Sequence, residues 1–282
     1  MSFSYDIKQE LNKTSNLINK ELVKYELIGY LMSDNTNEVD KKIIKYSTES
    51  DYNINRFSKL LANLNINHDI NILGKTFFVT VKKKNLENIQ VDFENISNEQ
   101  IRAYIRGLFM GAGSINNPEN KYHLEIALSD EKSLEIALKI FTKADIKAKK
   151  LITKNKYSLY MKEGEEISRL LALIGANKAV LHFEEIRVQR EMRGKVDRIV
   201  NCESANLNKT INASIEQIAA IRKVQKNGKF NKLEDNLKEI AILRLENPNM
   251  PLVELGKKLK NPIGKSGVNY RLKRIMEIAN EG

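Results

Sequence analysis

The chain has 282 residues, 41% of them apolar, with 47 Lys and Arg against 36 Asp and Glu, a formal net charge of +11 and a pI near 9.4. That length exceeds one small domain and suggests two or three, and the positive balance points to an anionic partner, nucleic acid before an acidic membrane surface. A single cysteine, Cys202, excludes an internal disulfide and a cysteine-based zinc site, and His68, His123 and His182 lack metal-ligand spacing, so no metal or other cofactor is expected.

The opening residues have no apolar core of the kind a signal peptide needs, and no apolar run approaches the ~20 residues of a membrane helix. The expectation is a cytoplasmic, nucleoid-associated protein. Residues 1–19 read as a polar lead, with a short helix capped by Ser2 or Ser4. Residues 20–34 form the first helix, apolar with a mid-helix Gly29. Residues 41–47 (KKIIKYS) alternate as a strand, and Asp51 can cap a helix to Leu64 with Ile54, Phe57, Leu60 and Leu61 on one face. Two β-rich runs, 68–73 and 75–82, break at Gly74 as a hairpin. Residues 82–100 read as a loop.

From residue 98 the order recurs. Residues 101–113 (IRAYIRGLFMGAG) predict a helix with a small-residue side, Ala103, Gly107 and Gly111, able to approach a partner backbone closely. YHLEIAL at 122–128 alternates as a strand, and Asp130 caps a helix to Phe141. Strands at 148–153 and 157–161 flank a turn at 154–156. A helix over 163–174 stops at Gly175. The pattern of helix, strand, helix and hairpin thus occurs twice, predicting an α+β domain of two similar halves, 20–98 and 99–200. The second half ends in a long basic helix over 179–200, on which Arg187, Arg190, Arg193 and Arg198 form a second set of candidate DNA contacts.

Polar residues 201–212 predict a linker, and 213–282 an all-α domain. Its expected helices cover 214–225, 232–246, 251–259 and 266–279, the last capped by Ser266. Leu252, Val253, Leu255 and Leu259 give one core face; Val268, Leu272, Ile275 and Ala279 give the other. Between residues 257 and 282 seven Lys and Arg face two acids, an excess of +5. A short helix, a turn and a basic amphipathic helix describe a helix-turn-helix. In that geometry Lys265, Ser266, Asn269 and Tyr270 are best placed for bases and phosphates. Lys273 and Arg274 lie toward the DNA backbone, and Lys257, Lys258 and Arg271 are further candidate DNA contacts.

Two nucleotide motifs fail on inspection. Gly264-Lys265-Ser266 ends like a phosphate-binding loop, but Leu259 occupies the position of its first glycine and no buried strand precedes it. Gly111-x-Gly113 ends a helix rather than opening one, and Asn116 replaces the third glycine of a dinucleotide fingerprint.

Residues 20–175 resemble the LAGLIDADG homing-endonuclease fold, and the chain as a whole resembles the WhiA family of bacterial transcription regulators. The stretches that carry this are YIRGLFMGAGSINNPE, YHLEIAL, LIGANKAVLHFEE, VDRIVNCESANLNKT, LVELGKKL and PIGKSGVNYRLKRI. The resemblance implies an α+β, two-repeat endonuclease-like domain followed by a helix-turn-helix domain similar to the promoter-recognition domain of sigma factors. It also implies a role in cell division and chromosome segregation, and in sporulation in some relatives. LAGLIDADG enzymes place one carboxylate at the end of each central helix. Laid on 27–35 that motif puts Asp34 at the acid position, and laid on 105–113 it puts Ala112 there. Glu38 and Glu119 lie beyond the helix ends. With one acid missing, no catalytic or metal-binding residue is assigned. The expected function is sequence-specific regulation of double-stranded DNA promoters without nuclease activity, with the transcription machinery or another regulator as a candidate partner. A metal-dependent DNA endonuclease and a division-linked scaffold are the alternatives. Target site, effector and oligomeric state stay open.

Overall fold

In the computed structural model, which describes residues 2–13, 17–154 and 156–281, the chain divides into two units, Met1–Glu191 and Met192–Gly282. The first contains the expected repeat. Helix α1 (Phe3–Asn12) is followed by α2 (Lys20–Leu31), β1 (Thr36–Val39), β2 (Ile43–Thr48), α3 (Asp51–Asn63), β3 (His68–Leu73) and β4 (Thr76–Lys82). The second half runs α4 (Asn98–Ala112), β5 (Gly113–Ile115), β6 (Leu124–Leu128), α5 (Glu131–Lys143), β7 (Lys149–Thr153) and β8 (Lys156–Met161), with α6 (Gly164–Ile174) closing it. The two antiparallel sheets have the same strand order, β1-β2-β4-β3 and β5-β6-β8-β7. Each sheet opens with a strand that sequence alone does not predict, because β1 and β5 have four and three residues, too few to display a period of two.

Residues 3–12 are not a lead. Ile7 and Leu11 of α1 are fully buried, and the Ser4 hydroxyl donates to the Ile115 carbonyl while accepting the Ile115 N–H. Of the rest of the expected lead, residues 1 and 14–16 lie outside the described residues, as does Asn155 of the expected turn at 154–156. The capping residues shift by one where the preceding side chain reaches better: Ser50, not Asp51, caps α3 by accepting the Asn53 N–H. Asp130 caps α5 as expected, accepting from Ser133.

Helices α2 and α4 cross at the centre of the unit, Gly29 against Gly107. A methyl group on Gly107 would run into the Glu26 carbonyl, and one on Gly29 into the Tyr104 carbonyl. The crossing is held from one side by a buried ion cluster. Glu26, 2% exposed, accepts from Arg56 of α3 at 2.7 and 2.9 Å and from Arg106 of α4 at 3.4 Å, while Arg106 Nε donates to the Ile174 carbonyl. The loop between the halves is fastened to both: the Tyr25 hydroxyl donates to the Asp92 carbonyl, and Lys143 Nζ donates to the carbonyls of Phe93 and Glu94.

Helix α7 (Asn177–Lys226) replaces the two helices and the linker expected over 179–225. Residues 195–227 contain neither Gly nor Pro, and Asn and Ser lower helix propensity by tenths of a kcal/mol each without breaking the backbone ladder. Glu10 of α1 accepts the N–H groups of Lys178 and Ala179 at the start of this helix, in place of a local cap. The second unit continues with α8 (Asp235–Glu246), α9 (Leu252–Lys257) and α10 (Lys265–Asn280). Its core joins Ile221 and Val224 of α7 to Leu237 and Ile240 of α8, Leu255 and Leu259, and Val268, Leu272, Ile275 and Ala279 of α10. Val253 departs from the expected core face and is 47% exposed, since α9 buries Leu255 and residue 253 lies about 200° from it around the helix.

Candidate nucleic-acid interface

The second unit presents α10 on a scaffold fixed by polar anchors. The Arg244 guanidinium, 1% exposed, donates to the carbonyls of Pro248 at 3.2 Å and Met250 at 2.8 Å, and burial draws its pKa below the ordinary arginine value. The Ser214 hydroxyl also donates to Pro248. Together they shape the loop from α8 to α9. Beyond α9, Glu239 accepts the Lys260 N–H at 2.6 Å and the Ile263 N–H donates to the Gly256 carbonyl at 3.2 Å. A side chain at Gly256 would strike the Ile263 carbonyl, so glycine there lets the chain cross α9 closely. The connection spans seven residues, 258–264, longer than the three or four of a minimal helix-turn-helix turn, with Leu259 buried as its anchor.

Helix α10 starts one residue before the expected cap. Gly264 is its N-cap and no side chain caps it, so Ser266 lies in the first turn and is exposed. With Val268, Leu272, Ile275 and Ala279 buried, the helical repeat sends Ser266, Tyr270 and Lys273 to the opposite side. Lys265 and Asn269 fall on one flank of that side; Arg271 and Arg274 fall on the other. Tyr270 is 71% exposed. The candidate contacts are therefore divided. Arg271 reaches the Asn236 carbonyl at 3.5 Å, and Arg274 pairs with Glu277 at 2.9 Å and with Glu281 at 3.9 Å. Lys257 and Lys258 are exposed at the end of α9, where Lys258 donates to Asn247 Oδ1 at 3.4 Å.

The Arg271 flank opens into a groove of about 550 Å³ whose rim includes Lys229, Lys232, Tyr270, Arg271 and Arg274. Lys229 and Lys232 are absent from the sequence-based set. The Lys-rich run KNGKFNK at 226–232 was their signal, but its position beside α10 depends on Gly228, whose φ of +67° reverses the chain after α7.

The secondary arginines also separate. Arg187 pairs with Glu184 at 2.6 Å, and Arg190 donates to the Pro118 carbonyl at 2.8 Å while lying 4.4 Å over the Tyr122 ring. Arg193 and Arg198 are exposed on α7.

In the first unit, the ends of the central helices show where a hydrolytic pair would stand. The Gly29–Gly107 crossing equates residue 29 with 107 and hence Asp34 with Ala112. Asp34 is exposed, and its N–H donates to the Ala127 carbonyl at 3.2 Å. Glu38 pairs with Lys83 at 2.9 Å. Among the described residues no group of three or more His, Cys, Asp or Glu is arranged to hold a metal ion. The outward face of the second sheet carries a row Ser114, Glu125, Tyr160 and Lys149 across four strands. Lys156, at 2.7 Å, and His123, at 3.5 Å, flank Glu125; the Lys156 hydrogen bond holds its carboxyl below the usual range. On the first sheet, Lys45 lies 3.8 Å over the Phe78 ring. No helix among the described residues is long and apolar enough to cross a membrane.

Comparison with known proteins agrees with this division. Residues 101–193 match the model of the WhiA LAGLIDADG-like domain, and residues 196–279 match the WhiA C-terminal HTH domain. A probable cell division protein WhiA from Clostridium perfringens is 48% identical over 183 residues, covering 65% of this chain and 58% of the relative. One from Thermoanaerobacter is 43% identical over 212 residues, covering 74% of this chain and 67% of that protein. The matched stretch thus falls short of two thirds of the Clostridium protein. The crystal structure of full-length DUF199/WhiA from Thermatoga maritima superposes with a TM-score of 0.65 at 30% identity, over 100% of this chain and 99% of that one. On the domain matches, the sequence identities and this superposition, the chain belongs to the WhiA family.

Proposed function

We propose that this protein is a sequence-specific DNA-binding transcription regulator of cell division that acts without cutting DNA. The observation that carries the reading is the polar side of α10, with Lys265, Ser266, Tyr270 and Lys273 exposed and Asn269 half-buried beside them, standing over a buried apolar side. In a helix-turn-helix the first turns of the second helix enter the major groove. Asn269 suits the paired donor and acceptor of an adenine edge, and Lys265 suits guanine or phosphate. The uncapped N-terminus of α10 adds backbone N–H groups and a positive dipole end for a phosphate. Lys257, Lys258, Lys273 and, past their local pairings, Arg271 and Arg274 neutralise the DNA backbone, with Arg193 and Arg198 as further contacts. The name carried by the relatives supports a role in cell division, and chromosome segregation and sporulation belong to the same proposal. Nucleoid association follows from DNA binding, and the transcription machinery is the proposed protein partner.

Band-shift titration on a cognate promoter fragment tests the reading. Asn269→Ala should lose about 10-fold or more in affinity for that fragment and little for unrelated DNA. Lys265→Ala and Lys273→Ala should each lower the salt slope by about one. Unchanged affinity and slope in all three would remove α10 as the reading helix.

A metal-dependent endonuclease is favoured by the likeness to the LAGLIDADG-like domain alone. Two-metal hydrolysis needs anionic ligands from both central helices, and Ala112 supplies none. Plasmid incubated with the protein and magnesium is expected to stay supercoiled. Cutting that disappears in Asp34→Ala would establish the nuclease instead.

A further inference from the structure

From the first sheet to the second, equivalent residues of the first unit lie eighty positions apart. Ser50 and Asp130 cap equivalent helices, and Asn65 and Asp145 share a left-handed conformation, at φ of 55° and 54°. Ile44 pairs with Val81 as Leu124 pairs with Met161. The corner formed by the start of β2 and the end of β4 therefore has a counterpart at the start of β6 and the end of β8. In the second half the chain closes that corner itself. Tyr122 packs on the Phe183 ring at 5.3 Å and lies 4.4 Å from the Arg190 guanidinium, and a methyl group on Gly164 would come within 3.1 Å of Arg187 Nε. In the first half the equivalent places hold Lys42 and Lys84, and both are exposed.

Lys41, Lys42, Lys82, Lys83 and Lys84 line one open cavity of about 470 Å³ at this corner, with Glu87 as the one acid in its lining. Lys83 is paired with Glu38; among the described residues the other four lysines have no ion pair. Five cations around one small space repel each other, and an anion among them offsets that repulsion. Nucleic acid strings its charge along a strand and is met by cations that track the strand. Here the lysines converge from two segments on a single hollow, which matches a compact oligophosphate better. A polar cavity of about 840 Å³ adjoins, sharing Lys82 and Lys84 and lined also by Asn65, Asn67 and Asn85, whose amides suit the edge of a base.

We infer that the lysine corner of the first half binds an oligophosphate chain, either inorganic or that of a nucleoside triphosphate whose base enters the adjoining cavity. The inference is independent of what α10 reads. Calorimetric titration of the full chain with sodium tripolyphosphate, ATP and GTP, each up to ~1 mM, is the test. Lys41→Ala with Lys42→Ala, and Lys82→Ala with Lys84→Ala, should each lower affinity about 10-fold or more. These four side chains are exposed, so thermal unfolding should not change. Lys121→Ala with Lys162→Ala, at equivalent places in the second half, should leave binding as it is. All three variants should keep their affinity for unrelated duplex DNA within about two-fold. A nucleotide bound more tightly than tripolyphosphate supports the site and assigns it to nucleotides; equal affinity supports it and assigns the inorganic chain. Binding of none of the three probes overturns the proposal. So does binding that survives both double substitutions, or that falls as far with Lys121 and Lys162. Duplex affinity that falls as far as oligophosphate affinity gives the corner to DNA and likewise overturns it.

Discussion

Ala112 and Arg190 show how a residue's neighbours decide what its chemistry is for. By the Gly29–Gly107 crossing Asp34, three residues past α2, corresponds to Ala112, the last residue of α4, so a carboxylate on one side faces a methyl group on the other. Arg190 contributes to the positive balance of the chain, but its guanidinium lies over Tyr122 and donates to Pro118. Arg190→Ala should lower the stability of the first unit by about 1–2 kcal/mol and leave DNA affinity within about two-fold, read by thermal unfolding and band shift. Lys273→Ala should do the reverse. Lys8 of α1, partly buried with its ammonium 5.8 Å from the Phe109 ring, has its pKa drawn down to about 8 by burial. In the unfolded chain it titrates near 10.5. Between these values the unfolded state holds the extra proton, so stability rises with pH from about 8 to 10.5 and the penalty is fully present below 8. Lys8→Met should therefore stabilise the protein at neutral pH, by about 1–2 kcal/mol, and flatten that rise in a denaturant series across pH.

Among the elements, the crossing of α2 and α4 sets the first unit. Helix propensity alone favours alanine over glycine by about 1 kcal/mol. At Gly107 the added methyl meets the Glu26 backbone, which a helix cannot move without separating the two halves. Gly107→Ala should thus destabilise by about 3 kcal/mol or more despite the propensity gain. At Gly194 the nearest atom outside the local backbone is the end of Arg198 at 3.7 Å, an ordinary contact, so Gly194→Ala should raise the melting temperature by a few degrees. Opposite signs for these two substitutions in one calorimetric experiment would separate packing from propensity. Removing Glu26 as Glu26→Gln leaves the Arg56 and Arg106 guanidinium groups buried together without their carboxylate, at about 3–5 kcal/mol.

For the whole molecule, the sequence already determined the type of fold, and it pointed to α10 as the surface proposed to meet DNA. Helical spacing marked α3, α5 and α10, the alternation in YHLEIAL marked β6, and Gly74 and Gly175 marked their turns, because each signal is complete within one element. The recurrence of order over 20–175 determined a two-half unit for the same reason, and the local excess of positive charge over residues 257–274 marked α10 as a basic helix. Only the tertiary structure decided what depends on distant neighbours. It added β1 and β5, strands defined by their hydrogen-bonded partners rather than by their own length. It showed that 201–212 continue a helix, a choice that polar composition leaves open. It also gathered Glu26, Arg56 and Arg106, placed up to eighty residues apart, into one buried cluster. It turned Arg271 and Arg274 toward Lys229 and Lys232 and away from Lys265 and Asn269. Residue type and local spacing determine which side chains can carry charge or fill a core. Which charges remain exposed is decided by the partners that folding brings within about 4 Å, and those partners lie far away in the chain.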